Sequence, residues 1–207
     1  MESTTPWQDS VPERKVRAVQ IATAMFSLSR FFVEAPTPEI TRRFTDPDMA
    51  ATWPIRDDDS LAAIENIAEA DESGFILGED FNAMFGPTGK LMMAESEYTG
   101  EKPLPLVQAL NKRYAAREYQ PQKTEGYPRD HFAVQLGYLG HLVAKAGEDP
   151  AVAEEIRSFR SDHLDRYADD LLTLCDLHAR TQMYRAVVVL TRSALAALND
   201  VTRTDGQ

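Results

Sequence analysis

The residues of this chain best equipped for chemistry cluster in MAESEY, Met93 to Tyr98. Glu95, Ser96, Glu97 and Tyr98 follow closely on Gly86-Pro-Thr-Gly-Lys90. Such a group suits a catalytic site, a phosphate cradle, or a clasp between two halves of a helical domain. A phosphate loop needs GxxxxGK followed by Ser or Thr, between a strand and a helix. Here three residues separate Gly86 from Lys90, Leu91 follows, and the segment before reads as helix. A turn is the better reading. Acyl transfer needs a nucleophile with a base beside it, and no histidine is set near Ser96 by spacing. Glu79 and Asp80 are adjacent on a helix and so diverge. His131, His141, His163 and His178 make no HExxH pattern and no His/Cys metal spacing. Cys175 lies among leucines and reads as a core thiol. The expectation is therefore no catalytic residue, no metal site and no cofactor. Glu95, Ser96 and Tyr98 are predicted to form a structural loop. In it Glu95 and Ser96 bond backbone groups, and Tyr98 packs its ring and tethers its hydroxyl.

The bulk properties agree with a soluble interaction protein. The chain has 207 residues, 43% of them hydrophobic, enough for one core. A single cysteine excludes an internal disulfide and fits a reducing compartment. No apolar run reaches membrane-spanning length. The N-terminal MESTTPWQDSVPERK lacks the apolar stretch of a secretory signal and does not read as one. With 33 acidic and 22 basic residues the net charge is −11. That charge repels nucleic acid and suits a basic partner.

Helical periodicity runs nearly throughout. Ser10 and Glu13 form a capping-box pattern with Pro12 in the first turn. Val16, Val19, Thr23, Phe26, Arg30 and Val33 predict an inward stripe on the first helix, with Ala22, Met25, Ser29 and Phe32 beside it. A short helix is predicted from Pro38 to Phe44, and then a loop pinned by Trp53. Leu61, Ile64, Ile67 and Ala68 mark the next helix. Leu77, Phe81, Met84 and Phe85 mark another, and Leu106, Leu110 and Tyr114 mark one from Pro103 to about Arg117. EYQPQKTEGYPRD, Glu118 to Asp130, is a polar connector. Beyond it, His131, Val134, Tyr138 and Leu142 form a stripe, with Asp130 as its cap. Asp149 and Pro150 restart a helix. Leu164, Tyr167, Ala168, Leu171, Leu174 and Cys175 continue the period. Thr181 is predicted to cap a last helix carrying Tyr184, Val187, Val188, Thr191, Leu195 and Leu198, and the tail after it to fray. The fold class is all-α: one helical bundle over 1–207. Its N-terminal part covers about 10–118, a central hinge about 119–129, and its C-terminal part about 130–200.

Three stretches carry a resemblance to the TorD/DmsD/NarJ family of redox-enzyme maturation chaperones. They are EDFNAMFGP, AESEY and GYPRDHFAVQLGYLGHL. His163-Leu164 followed by Tyr167 echoes a weaker fourth. The likeness covers roughly Phe75 to Leu195. The chain departs from the family pattern at Met92-Met93-Ala94, where a proline is common before the Glu-Ser-x-Tyr loop. It departs also at Gln135, often glutamate, and at Tyr167, often tryptophan. The resemblance implies a cytoplasmic chaperone, a TorD-like bundle with no enzymatic activity. It implies a partner: the apo catalytic subunit of a molybdoenzyme, or its N-terminal leader, held while the cofactor is inserted. A NarJ-like assembly factor for a client without a twin-arginine leader is the alternative, and a helical interaction protein without such a client is a third. Tyr127, Asp130 and His131 are expected at the client-binding surface or hinge. Monomer and homodimer both remain open. Thr41-Arg-Arg-Phe44 resembles a piece of an export signal but lacks the apolar run behind it, and reads as a helix surface.

Overall fold

Caps and first-turn prolines divide the chain into helices. The computed structural model describes residues 11–121, 126–146 and 149–202. In chain order these are α1 (Val11–Phe31), α2 (Pro38–Thr45), α3 (Pro47–Ala50), α4 (Asp58–Glu69) and α5 (Gly74–Phe85). There follow α6 (Glu95–Thr99), α7 (Pro103–Ala116), α8 (Phe132–Ala146) and α9 (Pro150–Asp162). A 3-10 turn at Leu164–Arg166 leads to α10 (Ala168–His178) and α11 (Gln182–Thr202). Thr37, Asp57, Ser73 and Asp149 each accept a backbone N–H of the helix they precede. The capping box at Ser10 and the tail beyond Thr202 lie outside the described residues, as do 122–125 of the connector.

The core is built around α1, which packs against α8 on one side and α11 on the other. Both neighbours run antiparallel to it. Phe32 meets Phe132 at 5.0 Å between ring centroids, while Phe26 and Met25 reach Gly140 near the far end of α8. A Cβ on Gly140 would lie 3.2–3.3 Å from those two side chains, so glycine lets α1 and α8 approach closely. On the other side Phe31 meets the Tyr184 ring and Arg17 pairs with Asp200. Helix α4 covers α11, and α9 covers α8. Arg113 of α7 ties its helix to α9 through Glu155 at 2.6 Å, Asp162 at 3.0 Å and Ser158 at 2.6 Å. Among the described residues the β-type contact is an isolated antiparallel bridge between Ala94 and His131. Among the described residues no helix is long and apolar enough to cross a membrane.

The all-α class agrees with the sequence reading, but several local expectations change. On α1 the stripe of Val16, Val19 and Phe26 faces outward, with Val16 and Val19 more than half exposed. The buried line is Ala18, Ile21, Ala22, Met25, Leu28 and Phe32. This helix is apolar on both faces, and the face that turns inward is the one that meets α8 at Gly140 through Met25. MAESEY is not a loop: its last four residues begin α6. The period through Leu164 and Tyr167 is broken by the 3-10 turn. Trp53 is buried and packs on Phe44 at 5.6 Å, as its loop position suggested, though α3 adds a helical turn just before it.

The start of α11 is held from a distance. Thr181 Oγ1 accepts from Tyr184 N. The Asp80 carboxylate of α5, 2% exposed, accepts from Arg180 N, Thr181 N and Thr181 Oγ1. Glu72 accepts from Gln182 N and Met183 N. Two carboxylates thus meet the positive end of the α11 dipole. Asp80→Ala leaves those donors buried without partners. It should destabilise the protein by about 3 kcal/mol, lowering Tm by roughly 6–12 °C at this chain length. Asp80→Asn, which keeps acceptor oxygen, should lose less. An unchanged melting curve for Asp80→Ala would show that Asp80 does not anchor α11.

Candidate functional site

The segments that carry the sequence motifs meet at one junction inside the bundle. Backbone comes first. Phe132 N donates to Met93 O at 2.8 Å, and Glu95 N donates to Asp130 O at 2.9 Å. These two bonds lash the strand-like 92–95 stretch to the start of α8. They fix the register of everything around them.

Glu95 is wholly buried. Its carboxylate accepts from Gln135 Nε2 at 2.6 Å and lies 3.0–3.1 Å from His163 Nδ1, which donates. Arg166 stands 3.6 Å away. Gln135 is itself fully buried and accepts from the Tyr167 hydroxyl at 3.2 Å. One carboxylate therefore joins α6 and α8 to the turn between α9 and α10. A buried carboxylate is tolerated only with such partners. The amide at Gln135 suits this place. A second carboxylate there would face Glu95 at hydrogen-bond distance and require a shared proton.

Asp130 completes the cluster. It is 2% exposed, and its Oδ2 accepts from Ser96 Oγ at 2.7 Å and Ser96 N at 3.4 Å. It therefore caps α6, across 34 residues, rather than the helix that follows it. Glu95 and Ser96 bond side chains of distant segments instead of the backbone groups expected for their side chains, because α6 is a single short helix buried at its start. Tyr98 donates its hydroxyl to Met92 O at 2.8 Å and lays its ring 5.5 Å from that of Tyr167. Burial, then the Glu95 charge, push the Tyr167 hydroxyl well above its ordinary range, so it stays a donor.

His131 and Tyr127 lie behind and beside this junction. The His131 ring is 6% exposed and accepts from Ala133 N through Nδ1 at 3.2 Å. Burial lowers its pKa from 6.5 to about 4, against a smaller opposing effect of Asp130. Tyr127 stacks 4.6 Å from His131 and is 36% exposed. Its hydroxyl donates to Val33 O beyond the end of α1. The structure thus brings all six sequence-selected residues into one neighbourhood, with Tyr127 at the rim and Asp130 and His131 within. Gln135, His163 and Tyr167 were not selected, yet they hold it together, as the unselected Asp80 holds the start of α11. Asp80 had a readable signal: Leu77 and Met84 share its helical face. His163 had a weak one, its motif with Leu164 and Tyr167, but its partner lies 68 residues away.

The arrangement can position helices but offers little for turnover. Ser96 Oγ is engaged by a carboxylate, and the Glu95–His163 pair is enclosed. Burial and the Asp176 charge raise the Cys175 thiol to about 12 despite Arg192, so it is not a ready nucleophile. Among the described residues no group of three His, Cys, Asp or Glu side chains is arranged to hold a metal.

Removing Glu95 with alanine strands Gln135 and His163, and should cost about 3–5 kcal/mol. Tyr98→Phe loses one partly exposed hydrogen bond, about 1 kcal/mol. Equal stability of both variants and the wild type in urea would rule out a clasp. Because folded His131 resists protonation, the unfolded chain binds the extra proton between pH 6.5 and about 4. Its contribution is full above pH 6.5 and is lost as pH falls toward 4. Melting at pH 7 and pH 5 should therefore differ more for the wild type than for His131→Asn. Parallel pH dependence would overturn this.

The comparisons with known proteins bear on the same region. No curated protein matches the chain. A family model described as the nitrate reductase delta subunit matches residues 56–173, more than half of the chain. That span runs from the start of α4 into α10 and takes in the whole junction. The ordered motifs, the helical bundle and this match agree: the chain belongs to the nitrate reductase delta subunit family, the NarJ/TorD type of chaperone.

Proposed function

We propose that this protein is a system-specific molecular chaperone. It binds the apo catalytic subunit of a DMSO-reductase-type molybdoenzyme, or its N-terminal leader, and assists cofactor insertion before export. The carrying observation is the family match over 56–173, in a family of molybdoenzyme maturation chaperones. The closed polar junction supports a non-catalytic role, because its ionisable groups bind each other rather than facing a substrate pocket. The net charge of −11 favours a cationic segment and would speed its encounter. Tyr127 is the exposed member of the expected client site, and Asp130 and His131 hold the backbone behind it. Residues 119–129 act as the hinge between the two parts of the bundle, and the work is done in the cytoplasm.

A second reading is favoured by the family description itself, which names a nitrate reductase subunit. In that case the client has no twin-arginine leader, and the chaperone recognises another part of the apoenzyme. Titration calorimetry with a leader peptide, the apo subunit and the mature enzyme separates these readings. The first predicts binding to peptide and apoenzyme, with weaker binding to the cofactor-loaded form. Arginine-to-glutamine changes in the peptide should slow association and flatten its salt dependence. Binding to apoenzyme alone selects the second reading. No binding to either, in low and high salt, removes both.

A further inference from the structure

A cavity of about 170 Å³ opens between α1, α2, α3, the Trp53 loop and α4. Phe44, Ala50, Trp53 and Ile64 form its buried walls, and Ser27 and Arg43 line its more exposed side. The walls are apolar, yet two hydrogen-bond donors that border the cavity are unanswered. Trp53 is 8% exposed, and its indole Nε1 is buried with no acceptor in the protein. Ser27 Oγ makes no hydrogen bond to the described residues. Its neighbours on α1 behave differently: Thr23 returns its hydroxyl to Val19 O at 2.7 Å, and Ser29 returns its own to Phe26 O at 2.9 Å. The open hydroxyl therefore belongs to the serine at the cavity. A buried donor left in this way calls for a reason, and a bound acceptor is one.

Size and charge define what fits. An apolar cavity of about 150 Å³ holds a single benzene, so this one has room for one ring with a small substituent. Among the described lining residues the ionised one is Arg43. Arg43 pairs with Glu39 at 3.2 Å, but the two side chains are 60% and 71% exposed, and a pair so open yields to a better-placed anion. The net charge of −11 is spread over the whole chain, and its distant members are screened beyond about 8–10 Å. Arg43 therefore sets the sign at the cavity mouth. We propose that this cavity binds a small carboxylate built on one aromatic ring. The ring lies among Phe44, Trp53 and Ile64, and the carboxylate accepts from Ser27 Oγ, Trp53 Nε1 and the Arg43 guanidinium. The site shares no residue with the Glu95 junction and does not rest on the chaperone reading. From Trp53 the rings continue to Phe44 at 5.6 Å, Phe31 at 5.5 Å and Tyr184 at 6.4 Å. An occupied cavity thus stiffens the packing of α1 against the start of α11.

Sodium benzoate serves as the probe, with acetate and toluene as its two halves, and the isotope-labelled full chain as the receptor. The indole N–H resonance of Trp53, assigned by its loss in Trp53→Phe, should move saturably with benzoate. The dissociation constant should be millimolar or lower, as a fragment of this size gives. Acetate at equal ionic strength should leave the resonance in place, and toluene should bind about tenfold more weakly or worse. Ser27→Ala and Arg43→Gln should each weaken benzoate by about three- to tenfold. Ser27→Leu and Ala50→Leu fill the cavity from two sides, and each, once circular dichroism shows it folded, should abolish the shift. Benzoate should raise the melting temperature of the wild type and not that of the filled variants. The absence of a saturable shift overturns the site. So does full affinity in a folded filled variant, or in both Ser27→Ala and Arg43→Gln. Equal binding of toluene and benzoate overturns the carboxylate and leaves an apolar packing gap. None of these results bears on the chaperone reading, which is decided by the apoenzyme titration.

Discussion

A carboxylate removed from water must be answered on every side, and Glu95 is the place where this constraint organises the fold. Its partners come from α8 and from the end of α9, segments 40 and 68 residues away in sequence. None of these contacts forms unless the α6 start, the α8 face and the turn at His163 arrive together. Ser96 and Asp130 repeat the logic next door, with a hydroxyl and a carboxylate closing the same pair of segments. Burying a charge in this way contributes little net stability compared with an apolar core. What it adds is discrimination, since a misregistered pairing strands the charge.

That economy explains why the motif residues resemble an active site in composition while behaving as a joint. Acid, hydroxyl, imidazole and phenol groups are all present, but each faces another member of the set. The same chemistry explains Gln135. The amide gives Glu95 a donor and Tyr167 an acceptor at once. Glutamate at this position would need to carry a proton to do both. The substitution is therefore a choice of protonation state written into the sequence.

Much of the fold was legible because helix boundaries are local. Prolines at 38, 103 and 150, and caps at Asp57 and Asp149, act within a turn or two of where they stand. The six selected site residues also came together, since short motifs preserve local spacing and the resemblance supplied the long-range link. What failed was anything decided by a distant surface. Which side of α1 turns inward depends on how closely α8 can approach, and periodicity alone treats Val16 and Ile21 alike. Asp80 shares a helical face with Leu77 and Met84, but nothing near it in sequence names its partners, the backbone donors at Arg180 and Thr181, which lie 100 and 101 residues downstream. The pairing of His163 with Glu95 was hidden for the same reason, though its motif with Leu164 and Tyr167 was visible.

The sandwiching of α1 between α8 and α11 has a consequence for the order of events in synthesis. The first helix leaves the ribosome long before either neighbour exists, and its tie to Asp200 spans 183 residues. Contacts of such separation must absorb a large loop-closure entropy before they give anything back. Helix α11, whose N-terminus is finished by Asp80 of α5 and by Glu72 just before it, is translated after every helix it packs against. Until it emerges, α1 offers apolar surface on both of its sides. The core of this design closes only once α11 has been made, so a chain that stops short of it leaves both sides of α1 uncovered.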